Sequence, residues 1–141
     1  MKTGPKALLV STLLLSACAS HTHQMKLQDG TGSVIGSFTH EGQAPPSMSV
    51  DLDGKRYEAT DFSIHRVENL AELSNQYGIA SKHYDRITSG LDMDHRKYSA
   101  KPELVASDGS KLTCTLTWKL GRLPAGICEL DSGKKIKLAS E

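Results

Sequence analysis

Lys111-Leu112-Thr113-Cys114-Thr115-Leu116-Thr117-Trp118-Lys119-Leu120 is the stretch that decides the fold. In an extended chain, Leu112, Cys114, Leu116, Trp118 and Leu120 point one way, and Thr113, Thr115, Thr117 and Lys119 the other. Strict period-two alternation marks a strand with one buried and one wet face. Ser107-Asp108-Gly109-Ser110 stands just before it. An Asp-Gly pair tolerates positive φ and is a strong two-residue hairpin signal, so Leu104 and Ala106 belong to the partner strand. A second Asp-Gly, Asp53-Gly54, lies between alternating Met48, Val50 and Leu52 on one side and Tyr57 and Ala59 on the other. Asp131-Ser132-Gly133 makes a third turn, between Ile127 to Leu130 and Lys135 to Leu138, and Val34 to Thr39 reads as the first strand.

Six or seven strands in an antiparallel meander follow from this pattern. They are expected to close into a small barrel or a two-sheet sandwich, because a flat open sheet leaves edges and an apolar face exposed. The fold class is thus mainly β, with one short helix. Val67, Leu70, Ala71, Ser74 and Tyr77 share a helical stripe that Gly78 stops. Residues 79–95 form a polar excursion. Long excursions between strands are common homes for function.

The N-terminus carries an address. Lys2 and Lys6 precede an apolar run from Ala7 to Leu15, broken only by Ser11 and Thr12, and Leu15-Ser16-Ala17-Cys18 closes it. This is signal-peptide architecture, too short to remain as a spanning helix. The Leu-Ser-Ala-Cys ending resembles the lipobox of bacterial lipoproteins. That resemblance implies that Cys18 is acylated and becomes the first residue of the mature chain. It also implies two or three acyl chains, enough for stable attachment to a membrane. Ala19, in place of Asp, favours the outer membrane by the enterobacterial pattern, if the source is Gram-negative. The expected organisation is a signal at 1–17, a lipidated cysteine and flexible tether at 18–33, and one β-rich periplasmic domain at 34–141. The tether rests on the polar, aperiodic Ala19-Ser20-His21-Thr22-His23-Gln24 and on Gly30, Gly32 and Ser33.

Charge narrows the partners. The chain has 17 Lys plus Arg against 16 Asp plus Glu, and the signal holds two of the lysines and no acid. The mature 124 residues therefore carry 15 against 16, net −1 with His neutral. Nothing in this balance points to nucleic acid.

Three cysteines in an exported chain leave an odd thiol unless one is otherwise used. Lipidation of Cys18 leaves Cys114 and Cys128 as a pair. Gly121-Arg122-Leu123-Pro124-Ala125-Gly126, rich in turn formers, lies midway between them. A fold-back about Gly121 sets the two cysteines opposite each other as a disulfide. The alternative, a pair of metal-binding thiolates, is disfavoured where thiols oxidise. Leu112-x-Cys114, Gly126-Ile127-Cys128 and Gly133, with the earlier Leu52-Asp53-Gly54-Lys55-x-Tyr57, also resemble a group of small uncharacterised Gram-negative lipoproteins. That resemblance covers about half the domain and implies no activity.

Candidate chemistry is sparse. His21-Thr22-His23 offers two imidazoles, but a metal site needs three or four ligands. Asp92-Met93-Asp94-His95 offers two carboxylates and an imidazole without a further ligand motif. His40, His65 and His83 read as isolated polar residues. Trp118 sits in the apolar phase of its strand and reads as core; with Tyr57, Tyr84 and Tyr98 it would otherwise line a ligand groove. There is no Gly-x-Ser-x-Gly elbow, no His-Glu-x-x-His and no phosphate-binding glycine loop. No catalytic residue, metal ligand or cofactor is assigned, and the chain is not expected to be an enzyme. The expected function is a lipid-anchored accessory module of the cell envelope that binds a protein or glycan partner. Two alternatives remain. One is a surface-acting enzyme inhibitor: lysozyme inhibitors resemble this chain in architecture, but the Ser-Gly-x-x-Tyr-type motif is lacking. The other is a metal-binding envelope lipoprotein using His21, His23 or residues 92–95.

Overall fold

The structure, a computed structural model, describes residues 20–68 and 96–141. Among these, the strands are β1 (His21–Leu27), β2 (Val34–His40), β3 (Ser47–Leu52), β4 (Lys55–Thr60), β5 (Ile64–Glu68), β6 (Arg96–Ala100), β7 (Glu103–Ala106), β8 (Lys111–Lys119), β9 (Ala125–Leu130) and β10 (Lys135–Ser140). Every pairing is antiparallel.

The strands make eight staves. β8 pairs with β7 along its first half and with β6 along its second. The break between β6 and β7 falls at Lys101-Pro102, where proline has no N–H to give the ladder. The Cys114 N–H bridges that break by donating to the Pro102 carbonyl at 3.0 Å. β4 and β5 are likewise one stave, interrupted at residues 61–63, with β4 on β7 and β5 on β6. Each stave lies beside its sequence neighbours, and β1 pairs with β10 to close the ring. The meander is therefore a closed antiparallel barrel. At eight strands, side chains alone can fill the interior. Met25, Phe38, Val50, Leu104, Leu112, Leu116 and Leu138 fill it here, all fully buried.

The turn chemistry read from the sequence builds one end. Asp53 and Gly54 both have positive φ, 51° and 75°, the signature of a tight hairpin that matches strand twist. The turns at 28–33, 107–110 and 131–134 lie at this same end. The opposite end holds the start of β1, the 41–46 loop, the ends of the β5–β6 ladder, the 120–124 loop and the C-terminus.

β8 matches its expected pattern residue for residue: Leu112, Cys114, Leu116 and Trp118 are buried, and the residues between them are exposed. Cys114 and Cys128 are direct register partners on β8 and β9, with Cα atoms 4.0 Å apart and sulfurs at disulfide distance. Closing a loop of this size should stabilise the fold by about 3 kcal/mol on the chain-entropy estimate. Cys114→Ser is expected to lower stability by about that amount in urea melts. Peptide mapping without reductant should link Cys114 to Cys128; two free thiols in protein recovered from an oxidising compartment would remove the bridge.

Three expectations need correction. Residues 21–27 are not part of a tether. They form β1, between β2 and β10, with Met25 fully buried. Backbone pairing, not hydrophobicity, recruits this polar segment, since without it β2 and β10 would both be unpaired edges. The folded domain accordingly begins near residue 20, not at 34, and the first strand is β1. Val67, assigned to a helical stripe, lies exposed in β5, where its Cα partner is Lys97. The remainder of that helix, the excursion at 79–95, the signal and Cys18 lie outside the described residues.

Candidate functional site

Inward-facing positions alternate along each stave, so the β1 stripe that buries Met25 continues through His23 and His21 toward the barrel mouth. On β2, Phe38 and His40 share the inward phase. Register sets His21 opposite His40 and His23 opposite Phe38. Three imidazoles thus gather at one rim. Trp118 from β8 and Tyr98 from β6, direct register partners, face them.

His40 is the buried member, 6% exposed. Its Nε2 lies 2.9 Å from His23 Nε2, a hydrogen bond in which one ring donates and the other accepts. The ring planes differ by 17° with centroids 5.0 Å apart, so the imidazoles meet edge to edge through those nitrogens. His40 also packs on Phe38 and Trp118, at 5.0 and 5.1 Å between centroids. Burial holds the pKa of His40 below the ordinary histidine value; Glu41 opposes this, and His23 and His21 add to it. Burial also lowers the pKa of His23, reinforced by His21 and opposed by Glu41. Both effects favour neutral rings, the form that accepts a hydrogen bond or ligates a metal.

Glu41 follows β2 directly and takes a left-handed φ of 62°, uncommon for a residue other than glycine. Its carboxylate comes back over the rim: Oε1 stands 3.8 Å from His40 Nδ1, and Oε2 stands 4.0 Å from His21 Nδ1. The cavity between these groups is about 220 Å³, and Leu120, Arg122 and Leu123 of the β8–β9 loop complete its wall. Leu123 is 52% exposed at this rim. As they stand, no three donors among the described residues are drawn together around one ion.

His21 and His23, read as a pair short of a site, are joined by His40, which reads as isolated in the sequence. Alternation could have shown the link: His21, His23, Met25 and Leu27 share one phase, and so do Phe38 and His40. Trp118 is buried as expected, with its ring edge-on to Phe38 and stacked near Tyr98 at 5.6 Å. Tyr57 lies instead toward the opposite end, where the Ser110 hydroxyl donates to its oxygen at 3.4 Å. His65 is exposed on β5, away from the cluster. His83, Tyr84 and Asp92 to His95 lie outside the described residues. No family model, no curated protein and no solved structure matches the chain.

Proposed function

We propose that this protein is a lipid-anchored, non-catalytic binding module of the cell envelope that engages a protein or glycan partner through the barrel mouth. One observation carries the reading: the two barrel ends are chemically unlike. One end is built of polar turns around a cavity with no aromatic or histidine side chain among the described residues of its wall, lined by Leu27, Leu52, Asp53 and Lys134. The other opens into a cavity of imidazole, indole, phenol and carboxylate groups beside an exposed leucine and arginine. A few convergent polar groups over an aromatic floor are the usual make-up of a binding site. Aromatic rings and arginine are also the side chains most often found to anchor partners.

The resemblance of Leu15-Ser16-Ala17-Cys18 to a lipobox supports the anchor. On that reading the protein is held at a membrane, the outer one if the source is Gram-negative. Nothing in the charge balance favours nucleic acid as a partner.

One envelope experiment tests both halves. A photo-crosslinking residue at position 123, on the rim, should capture a discrete partner. The same residue at position 127, on the outer wall where Ile127 is 45% exposed, should not. In the same fractions, Cys18→Ala should abolish fatty-acid labelling and release the protein from membranes. Equal capture from both positions would sink the mouth as the binding face, and palmitate labelling of the Cys18→Ala protein would sink the anchor.

A further inference from the structure

We propose that the barrel mouth binds one divalent first-row transition ion, Zn²⁺ being the type, on His21, His40 and Glu41, with His23 orienting His40 from behind. The inference rests on the same reading of this end as the functional one, and it names a ligand class there.

The donor chemistry is the first argument. Two imidazoles and a carboxylate are the ligand set that suits zinc and its neighbours, with a fourth position left for water or a partner's group. The second is proximity. Ligands about 2.1 Å from a tetrahedral ion stand roughly 3.4 Å from one another. The Glu41 oxygens lie 3.8 Å from His40 Nδ1 and 4.0 Å from His21 Nδ1. The His21 and His40 rings are 6.4 Å apart between centroids. Binding therefore requires His21 and Glu41 to turn inward around the ion, since the three donors do not converge as they stand. The two side chains that must turn are the exposed ones, His21 at 69% and Glu41 at 56%.

The third argument is the pairing behind His40. A ligating imidazole commonly donates its other N–H to an acceptor that fixes its tautomer. His40 Nε2 already faces His23 Nε2 at 2.9 Å. With His40 as donor, its Nδ1 carries the lone pair and faces the Glu41 carboxylate, an arrangement that a cation between the two groups resolves. Burial against Phe38 and Trp118 holds the His40 ring in this pose.

The test is calorimetric titration of Zn²⁺ into the full-length, untagged protein, purified in detergent and stripped with chelator. One saturable equivalent is expected. Glu41→Gln and His21→Ala, both at exposed positions, should remove saturable binding while leaving the metal-free melting curve in place. His23→Ala should weaken binding ~10–100-fold, the usual effect of losing an outer partner. His65→Ala should leave it unchanged. Absence of saturable binding, or binding indifferent to Glu41→Gln and His21→Ala, would overturn the site. So would binding lost on His95→Ala but kept in Glu41→Gln. The arms separate this inference from the partner reading: crosslinking from position 123 without Zn²⁺ binding removes only the metal, and Zn²⁺ binding without crosslinking removes only the partner.

Discussion

Gly126→Ala is expected to prevent the barrel from folding stably. Gly126 sits in β9 between Leu116 of β8 and Leu138 of β10 and shares the inward phase of Cys128. A Cβ there would run into the Thr115 carbonyl oxygen and stand 2.8 Å from its carbonyl carbon and 2.9 Å from Leu116 Cα. These are backbone atoms held in a paired ladder, so no side-chain rotation relieves the clash. A glycine in a strand interior often marks a tight bend or a close approach of another backbone, and here it permits the curvature of a narrow barrel. Gly36 plays the same part in β2, with the Ser49 carbonyl carbon and Val50 Cα each 3.0 Å from a built Cβ. It lies beside the irregularity where β1 pairing shifts between Met25 and Lys26. Overpacking that shifts side chains and backbone costs about 1–3 kcal/mol and occasionally more, and a Cβ driven into a paired ladder belongs among the costlier cases. We expect a loss of at least ~4 kcal/mol, a large part of the roughly 5–15 kcal/mol that holds a domain together. Gly109→Ala is the control: it meets no atom within 4 Å and bears only the strain of its φ of 83°, about 1–2 kcal/mol. Circular dichroism melts of Gly126→Ala, Gly36→Ala and Gly109→Ala check the ordering. A Gly126→Ala protein that melts with Gly109→Ala would show that the strands separate more easily than argued.

Trp118→Ala is expected to cost about 3–5 kcal/mol, the range for deleting a large buried aromatic. The indole fills the space beneath the mouth. It meets Phe38 edge-on at 5.4 Å, His40 at 5.1 Å and Tyr98 at 5.6 Å between ring centroids. Its removal takes away the surface that orders all three. Because the site borders the open cavity, water can enter the void, which places the loss toward the lower end of the range. Urea melts with an unchanged slope would report the effect as one of native-state stability. Wild-type stability in the variant would mean that the indole is not core and that the inward face of β8 is misassigned.

The parts of this structure that were legible beforehand share one property: each is encoded locally. The alternation in Lys111 to Leu120 orients β8 because successive side chains must point to opposite faces. Asp53-Gly54 sets its hairpin because few dipeptides accept positive φ at both positions, and Gly109 supplies the positive φ of the longer 107–110 turn. The Cys114–Cys128 pairing follows from a single fold-back about Gly121, so its register is a short-range matter. The strand count fell short for the complementary reason. β1 reads as a tether, and β5 and β6 flank the stretch that reads as a helix and a polar excursion, so these three carry no strand signal of their own.

The sequence by itself determined a β-rich domain, its hairpins, the inward phase of β8 and the cysteine pairing, since periodicity and turn chemistry act over a few residues. Tertiary structure decided the closure and the site. β1 is polar enough to pass for a tether, and only its hydrogen-bonding to β10, more than a hundred positions later, reveals it as a stave. His40 reads as solitary until β1 and β2 pair and set it against His21 and His23. A polar cluster at a barrel rim has no hydrophobic signal to betray it. It exists only when strands distant in sequence meet, and that meeting is driven by the need to pair every edge.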